Sequence, residues 1–184
     1  MFMLYAIPIG LLVGLLLGGR VERLGVLPFR WVPLAIVGLG VQLAIFWAPL
    51  GDLVGGLGPP LYVLSTGAVL LVVVRNAAIP GLAIVALGAA SNLVAVVANG
   101  GYMPASPGAV AALGQAAATG YSNSVVDADP VLAPLTDVFA LPAWMPLANV
   151  FSVGDVLIGV GVAITIALAM RGSGVGRGSA RTGP

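Results

Sequence analysis

The chain has no cysteine and no histidine, and only 7% of its 184 residues are charged. The absence of these two residue types excludes disulfides, thiol catalysis, haem ligation by His or Cys, and zinc sites of the usual kind. We therefore expect no metal and no cofactor. The net charge of +1 provides no basic face for nucleic acid. A soluble domain carries about 25% charged residues, so this composition argues against a soluble fold.

Apolar residues make up 60% of the sequence, and they fall into five long runs. A spanning helix needs roughly 20 mostly apolar residues. The first run does not look like a cleaved signal peptide, because its first charge, Arg20, follows the apolar residues. We predict an all-α membrane protein with a single transmembrane domain over residues 1–171. Its five-helix bundle covers about residues 2–18, 31–48, 60–74, 80–98 and 147–170.

All seven positive charges lie on one side of this five-helix plan, in the gaps after the first, third and fifth runs. They are Arg20, Arg23, Arg30, Arg75, Arg171, Arg177 and Arg181. The two long gaps on the other side contain acids and no Arg or Lys. Cytoplasmic loops are enriched in Arg and Lys. The pattern predicts a multi-pass protein of the bacterial plasma membrane, with its amino terminus outside and its carboxyl terminus in the cytoplasm.

The longest gap, residues 99–146, is rich in Pro, Gly, Ala and Ser, yet it also contains apolar residues. Loops of this length are usually lids, binding loops or disordered segments. We predict an extracytoplasmic lid loop that lies on the outer membrane surface, with a short capped helix after Ser106. The tail, residues 172–184, is predicted to be disordered, with its arginines near the head groups of membrane lipids.

Three glycines in the first run are spaced four residues apart: Gly10, Gly14 and Gly18. Small residues at this spacing allow two helix backbones to approach closely. One interpretation is packing against another helix of the same chain, and the other is contact with a second copy or a partner protein. The sequence alone does not separate them.

Polar residues within the predicted helices occur at similar depths. Counted from the outer helix ends at about 1.5 Å per residue, they lie roughly 8 to 12 Å below the outer surface. We predict an outward-facing polar pocket there, with Asn99 at its mouth. Its candidate residues are Gln42, Ser65, Thr66, Asn92, Asn99, Asn149, Ser152 and Asp155.

Asp155 is the central candidate, because a carboxylate in a spanning helix costs about 2.5 to 3.5 kcal/mol on insertion scales. Such a residue is normally retained for a partner or a function. The alternative is a hydrogen-bonded network that fixes helix register and does no chemistry. A second carboxyl would have to come from the lid acids, which are Asp127, Asp129 and Asp137.

Two strings resemble lipoprotein signal peptidase (signal peptidase II). Ala148-Asn-Val-Phe-Ser-Val-Gly-Asp155 is similar to that family's Phe-Asn-x-Ala-Asp-x-x-Ile helix, and Gly88-Ala-Ala-Ser-Asn92-Leu-Val-Ala95 to its Gly-x-x-x-Asn-x-x-Asp helix. The resemblance implies that Asp155 matches the second catalytic aspartate. The first falls at Ala95, which can serve neither as acid nor as base. This departure argues against an enzyme unless a lid aspartate replaces it.

The whole chain more closely resembles an uncharacterised family of small bacterial multi-pass membrane proteins. The strings that carry this resemblance are Asn99-Gly-Gly-Tyr-Met-Pro104, Leu135-Thr-Asp137 and Asn149-Val-Phe-Ser-Val-Gly-Asp155. The resemblance implies a fold size and no activity.

Three functions remain open from the sequence. The first is a module whose pocket binds a lipid head group or a small polar molecule. The second is a structural or assembly subunit of a membrane complex, in which the polar layer locks the bundle. The third is an intramembrane aspartyl hydrolase, degenerate or completed by a lid acid.

Overall fold

A computed structural model describes residues 2–47, 53–114 and 124–172 of the chain. The predicted disordered tail after Gly172 lies outside the described residues. The described part is mostly helical. Its helices are α1 (Ala6–Leu16), α2 (Val32–Phe46), α3 (Gly58–Arg75), α4 (Leu82–Ala98), the short α5 (Pro107–Ala112) and α6 (Val153–Arg171).

Two helical segments among the described residues are long and apolar enough to cross a membrane, namely Gly55–Arg75 and Val153–Arg171. The other apolar helical segments are shorter: Phe2–Leu16, Val32–Phe46 and Leu82–Ala98. Each predicted span thus coincides with a helix, and the ends differ by a few residues. The first four residues of the first span form a 3-10 turn, Phe2–Tyr5, instead of part of α1.

The start of the last helix corrects the sequence-based prediction. Helix α6 begins at Val153, six residues after the predicted start at Leu147. The preceding residues are extended because strand β4 (Val150–Phe151) pairs antiparallel with strand β3 (Phe139–Ala140). Asp155 therefore lies in the first turn of α6, closer to the helix end than predicted. Asn149 and Ser152, which lay inside the last predicted span, precede the helix.

The long helices pack in the order α1, α6, α4, α3, α2, with α6 between α1 and α4. The glycine stripe of α1 contributes to this packing within the chain. A Cβ at Gly10 would lie 2.9 Å from the Ala163 carbonyl oxygen, and Gly14 lies against Met170 and Ala167. Gly18 has a φ of +74°, and a Cβ built there would meet no described atom within 4 Å, so it follows the end of the helix instead of packing. Contact with a partner through these glycines stays a prediction.

The loop between α4 and α6 has structure of its own, so the fold is not purely α-helical. Strand β1 (Met103–Ala105) pairs in parallel with β2 (Ser124–Val126). Ser106 caps α5 as predicted, since its hydroxyl accepts a hydrogen bond from the Ala109 amide at 3.1 Å. Met103 packs with Ala95 and Val96 of α4 in a buried cluster. Strand β1 is thereby fixed over the end of α4.

Two polar anchors stabilise the opposite end of the helices. The side chain of Asn76 is buried, donates to the carbonyl oxygens of Arg30 and Val72, and accepts from the Arg30 amide at 2.8 Å. Arg23 donates to the Arg171 carbonyl oxygen at 2.8 Å, at the carboxyl end of α6. A cation near the carboxyl end of a helix is favourable because it complements the helix dipole.

Candidate functional site

The first turn of α6 is joined to α4 by a ring of hydrogen bonds. Ser152 is the N-cap, and its hydroxyl accepts from the Asp155 amide at 3.0 Å and donates to Asn92 Oδ1 at 2.8 Å. Asn92 Nδ2 donates to Asp155 Oδ1 at 2.7 Å. The Ser152 amide donates to Asp155 Oδ2 at 3.2 Å, which completes a capping box. The amino end of a helix favours a carboxylate, so this position explains why the chain tolerates Asp155.

The ring requires the backbones of α4 and α6 to approach closely. A Cβ at Gly154 would overlap the Asn92 side chain, and a Cβ at Gly88 would overlap the Gly154 carbonyl oxygen. Glycine is the residue type that permits such a close backbone approach. Gly88 and Gly154 therefore determine whether the Asn92 amide reaches Ser152 and Asp155.

The loop contributes a second carboxyl to the same place. The backbone of Asp137 is fixed next to β1, since its amide donates to the Pro104 carbonyl oxygen at 2.9 Å and its own carbonyl oxygen accepts from Ser106 at 3.0 Å. The residue is only 7% exposed, and its Oδ1 has no hydrogen-bond partner among the residues that the structure describes. Burial, and secondarily the nearby Asp155 carboxylate, raise the pKa of Asp137 from 3.8 to about 7. A buried polar atom without a partner is rare in proteins and requires an explanation.

The two acids line one cavity of about 260 Å³. Phe2, Met3 and Leu4 of the amino-terminal turn form one wall, where the Phe2 ring stacks on Phe151 at 4.3 Å. The Phe2 amide donates to Asn149 Oδ1 at 2.7 Å, which holds this turn against the segment before α6. Other lining residues come from the helices and the loop: Tyr62, Asn92, Val96, Met103 and Val150.

The structure brings together only some of the residues predicted from the sequence. Asn92, Asn149, Ser152, Asp155 and the lid acid Asp137 lie at or directly beside the cavity. The other candidates do not line it, and they have local roles.

Gln42 donates to Thr66 at 3.1 Å, between α2 and α3, and the Ser65 hydroxyl donates to the Tyr62 carbonyl oxygen of its own helix. Asn99 exchanges two hydrogen bonds with the Val131 backbone, so it anchors the loop to α4. The Asp127 carboxylate accepts from the Asp129 amide at 3.0 Å in a local turn, and Asp129 is exposed. Polar residues at similar depth had suggested one layer, but the helices turn these side chains toward different neighbours.

Two apolar residues of the site could not be predicted from the sequence. Phe2 and Met103 are ordinary apolar residues, and only the folded chain shows that they line the same cavity as the two acids. Asp137 was one of the three predicted lid acids, and no local pattern distinguished it. Asp127 also has apolar neighbours, since it follows Val125-Val126 and precedes Ala128.

The chain belongs to the family of unknown function DUF5317, whose model matches residues 26–167. This agrees with the resemblance to an uncharacterised family, and it has no bearing on the signal peptidase strings. No curated protein and no solved structure matches the chain. The family therefore supplies no activity, and the site must be interpreted from its own chemistry.

Proposed function

We propose that the protein is a multi-pass membrane protein whose cavity, in the outer half of the plasma membrane, binds a lipid head group or a small polar ligand. In this proposal the five long helices cross the membrane, with the amino terminus outside. The support is the apolar surface of the shorter helices. Leu16 of α1, Leu43 of α2 and Leu87 of α4 are all exposed. Large exposed apolar surfaces mark membrane or protein contacts.

The observation that carries the binding function is a carboxyl oxygen of Asp137, which lines the cavity: its Oδ1 is the buried side-chain polar atom that has no hydrogen-bond partner among the described residues. Both oxygens of Asp155 already accept protein hydrogen bonds. Leaving a buried acceptor unpaired costs about 1 to 3 kcal/mol, more when it is charged. A polar ligand that donates to this atom removes the cost on binding.

Native mass spectrometry of the protein, released gently from membranes, tests this function. We expect a bound small molecule or lipid on the native chain and its loss in Asp137→Asn. Asp129→Asn is the matched control, because it removes the same charge from the same loop at an exposed position. Equal occupancy in all three proteins, or no bound molecule in any of them, would exclude the proposal.

A second candidate function is an aspartyl hydrolase completed by the loop. Asp137 and Asp155 line one cavity, and the Asp155 carboxylate contributes to the raised pKa of Asp137. Two acids in one site, one ionised and one protonated, are the requirement for this chemistry. Ala95, at which the first catalytic aspartate of the signal peptidase pattern falls, is fully buried. The loop thus provides the acid that the helix lacks.

In such a hydrolase the ionised carboxylate takes a proton from water, and the water oxygen bonds to the scissile carbonyl carbon. The protonated carboxyl then gives its proton to the leaving nitrogen as the carbon–nitrogen bond breaks. Asp155 is less free for this work than Asp137, because the capping box and Asn92 hold both of its oxygens. For this reason binding is our first proposal.

Incubation of the purified protein with a lipidated peptide distinguishes the two functions. A hydrolase should give product that is lost in both Asp155→Asn and Asp137→Asn and retained in Asp129→Asn. Product that is equal in native and variant proteins, or absent throughout, would end the hydrolase interpretation and leave the binding function unaffected.

A further inference from the structure

The described residues that line the cavity include two acids and no Lys or Arg. Among the described residues that line it, the charged side chains are Asp137 and Asp155. Taking an ion out of water costs several kcal/mol even after the protein relaxes. A ligand that brings positive charge and N–H donors offsets this cost, whereas an anion increases it.

We infer that the ligand is a primary amine on an apolar body, with its ammonium group between Asp137 and Asp155, an inference that rests on the proposed binding function. An ammonium group has three N–H donors, and a carboxylate has about four acceptor positions. Asp155 uses one position on each oxygen within the protein. It retains acceptor capacity for a ligand, and Asp137 Oδ1 has no hydrogen-bond donor in the part of the chain that the structure describes.

The remaining walls fit the apolar body of such an amine. Met3, Val96 and Met103 line the cavity, and the aromatic side chains of Phe2 and Tyr62 also line it. Aromatic faces attract cations within about 6 Å. The cavity of about 260 Å³ is also far larger than the roughly 30 Å³ share of one water molecule. A bare metal ion would leave most of this volume unfilled, whereas an amine with a ring or short chain occupies it.

Two sources present this chemistry: a lipid with an ethanolamine head group, and a soluble amine with an apolar substituent. 2-Phenylethylamine is a suitable soluble probe, and 2-phenylethanol is its neutral counterpart of nearly equal shape. Vesicles of phosphatidylethanolamine and of phosphatidylcholine form the lipid arm. The trimethylated head group of phosphatidylcholine keeps the positive charge and removes every N–H donor.

The experiment measures binding to detergent-purified protein from which bound lipid has been exchanged. We expect 2-phenylethylamine to bind at least tenfold more tightly than 2-phenylethanol, Asp137→Asn to lose at least tenfold in amine affinity, and Asp129→Asn to match the native protein. Phosphatidylethanolamine that competes with the soluble amine, where phosphatidylcholine does not, would identify a lipid source. Competition by neither lipid would identify a soluble amine, and both outcomes support the inference.

Other outcomes overturn it. If 2-phenylethanol or phosphatidylcholine binds as tightly as the amine and also depends on Asp137, the pocket binds ligands but does not select ammonium. If Ca²⁺ or Mg²⁺ displaces the amine and binds more tightly in an Asp137-dependent way, the acids form a metal site. If no probe binds in an Asp137-dependent way and native mass spectrometry finds no ligand, the proposed function fails together with the inference.

Discussion

Replacement of Asp137 by asparagine should stabilise the folded protein at high pH, although it removes a residue of the site. Burial and Asp155 raise the pKa of Asp137 from 3.8 to about 7. A tenfold change in proton affinity is worth about 1.4 kcal/mol, so a difference of about three in pKa corresponds to about 4 kcal/mol. Between these pKa values the folded state holds a proton that the unfolded chain releases. The contribution of Asp137 to stability therefore falls as the pH rises from about 4 to about 7.

The asparagine side chain has nearly the same shape and does not ionise, so it avoids this loss. Asp137→Asn should raise the free energy of unfolding by up to about 4 kcal/mol at pH 8 and by about 2 kcal/mol at pH 5. Equilibrium unfolding by sodium dodecyl sulfate in mixed neutral-detergent micelles, followed by tryptophan fluorescence, measures both values in ligand-free protein. Asp129→Asn should change stability by less than about 0.5 kcal/mol. A destabilised Asp137→Asn, or a gain equal at both pH values, would refute the reasoning.

Three further predictions concern residues around the site and at the opposite end of the bundle. Gly154→Ala should lower the free energy of unfolding by about 1 to 3 kcal/mol because the added Cβ overlaps the Asn92 side chain. Gly40→Ala on α2, where an added Cβ meets no described atom within 4 Å, should not lower it in the same unfolding assay. Asn76→Ala should lower the free energy of unfolding by about 2 kcal/mol or more, since the buried Asn76 side chain loses its hydrogen bonds to the Arg30 backbone and to the Val72 carbonyl oxygen; a loss under about 0.5 kcal/mol would contradict this role. Asn99→Ala should leave global stability within about 1 kcal/mol but speed proteolysis of the loop near Val131, because both hydrogen bonds that anchor it are lost; unchanged cleavage would exclude the anchor.

Much of the helical plan could be predicted from the sequence, because long apolar runs have few alternative structures. Each predicted span coincides with a helix, and the charges and prolines between them define the gaps. The start of α6 was misplaced because Leu147 to Phe151 is as apolar as a helix interior. Pairing of Val150–Phe151 with Phe139–Ala140, a contact between segments distant in sequence, makes it extended. Single-sequence periodicity does not detect such pairing.

The site was predictable where local chemistry decides the structure, and unpredictable where distant segments meet. The spacing Ser152 to Asp155 is that of a capping box, so local sequence could have located the helix start. The contribution of Asn92 followed from a polar residue in an apolar helix. The choice of Asp137 over the other lid acids depended on how the loop packs against β1, and no local pattern specifies that packing.

Both carboxylate oxygens of Asp155 accept hydrogen bonds from described residues, whereas Oδ1 of Asp137 accepts none from them, and this difference points to function. Burial of the Asp155 carboxylate in an apolar helix costs free energy. The helix start and the hydrogen bonds from Ser152 and Asn92 offset this cost, so a structural role alone accounts for its presence. Asp137 is buried, and its Oδ1 has no hydrogen-bond partner within residues 2–47, 53–114 and 124–172. A residue that only served folding would be better replaced by asparagine or leucine at neutral pH. Strain of this kind typically persists where activity or binding requires it. Replacement of Asp137, and not of Asp155, should therefore remove function while the stability of the fold is kept or increased.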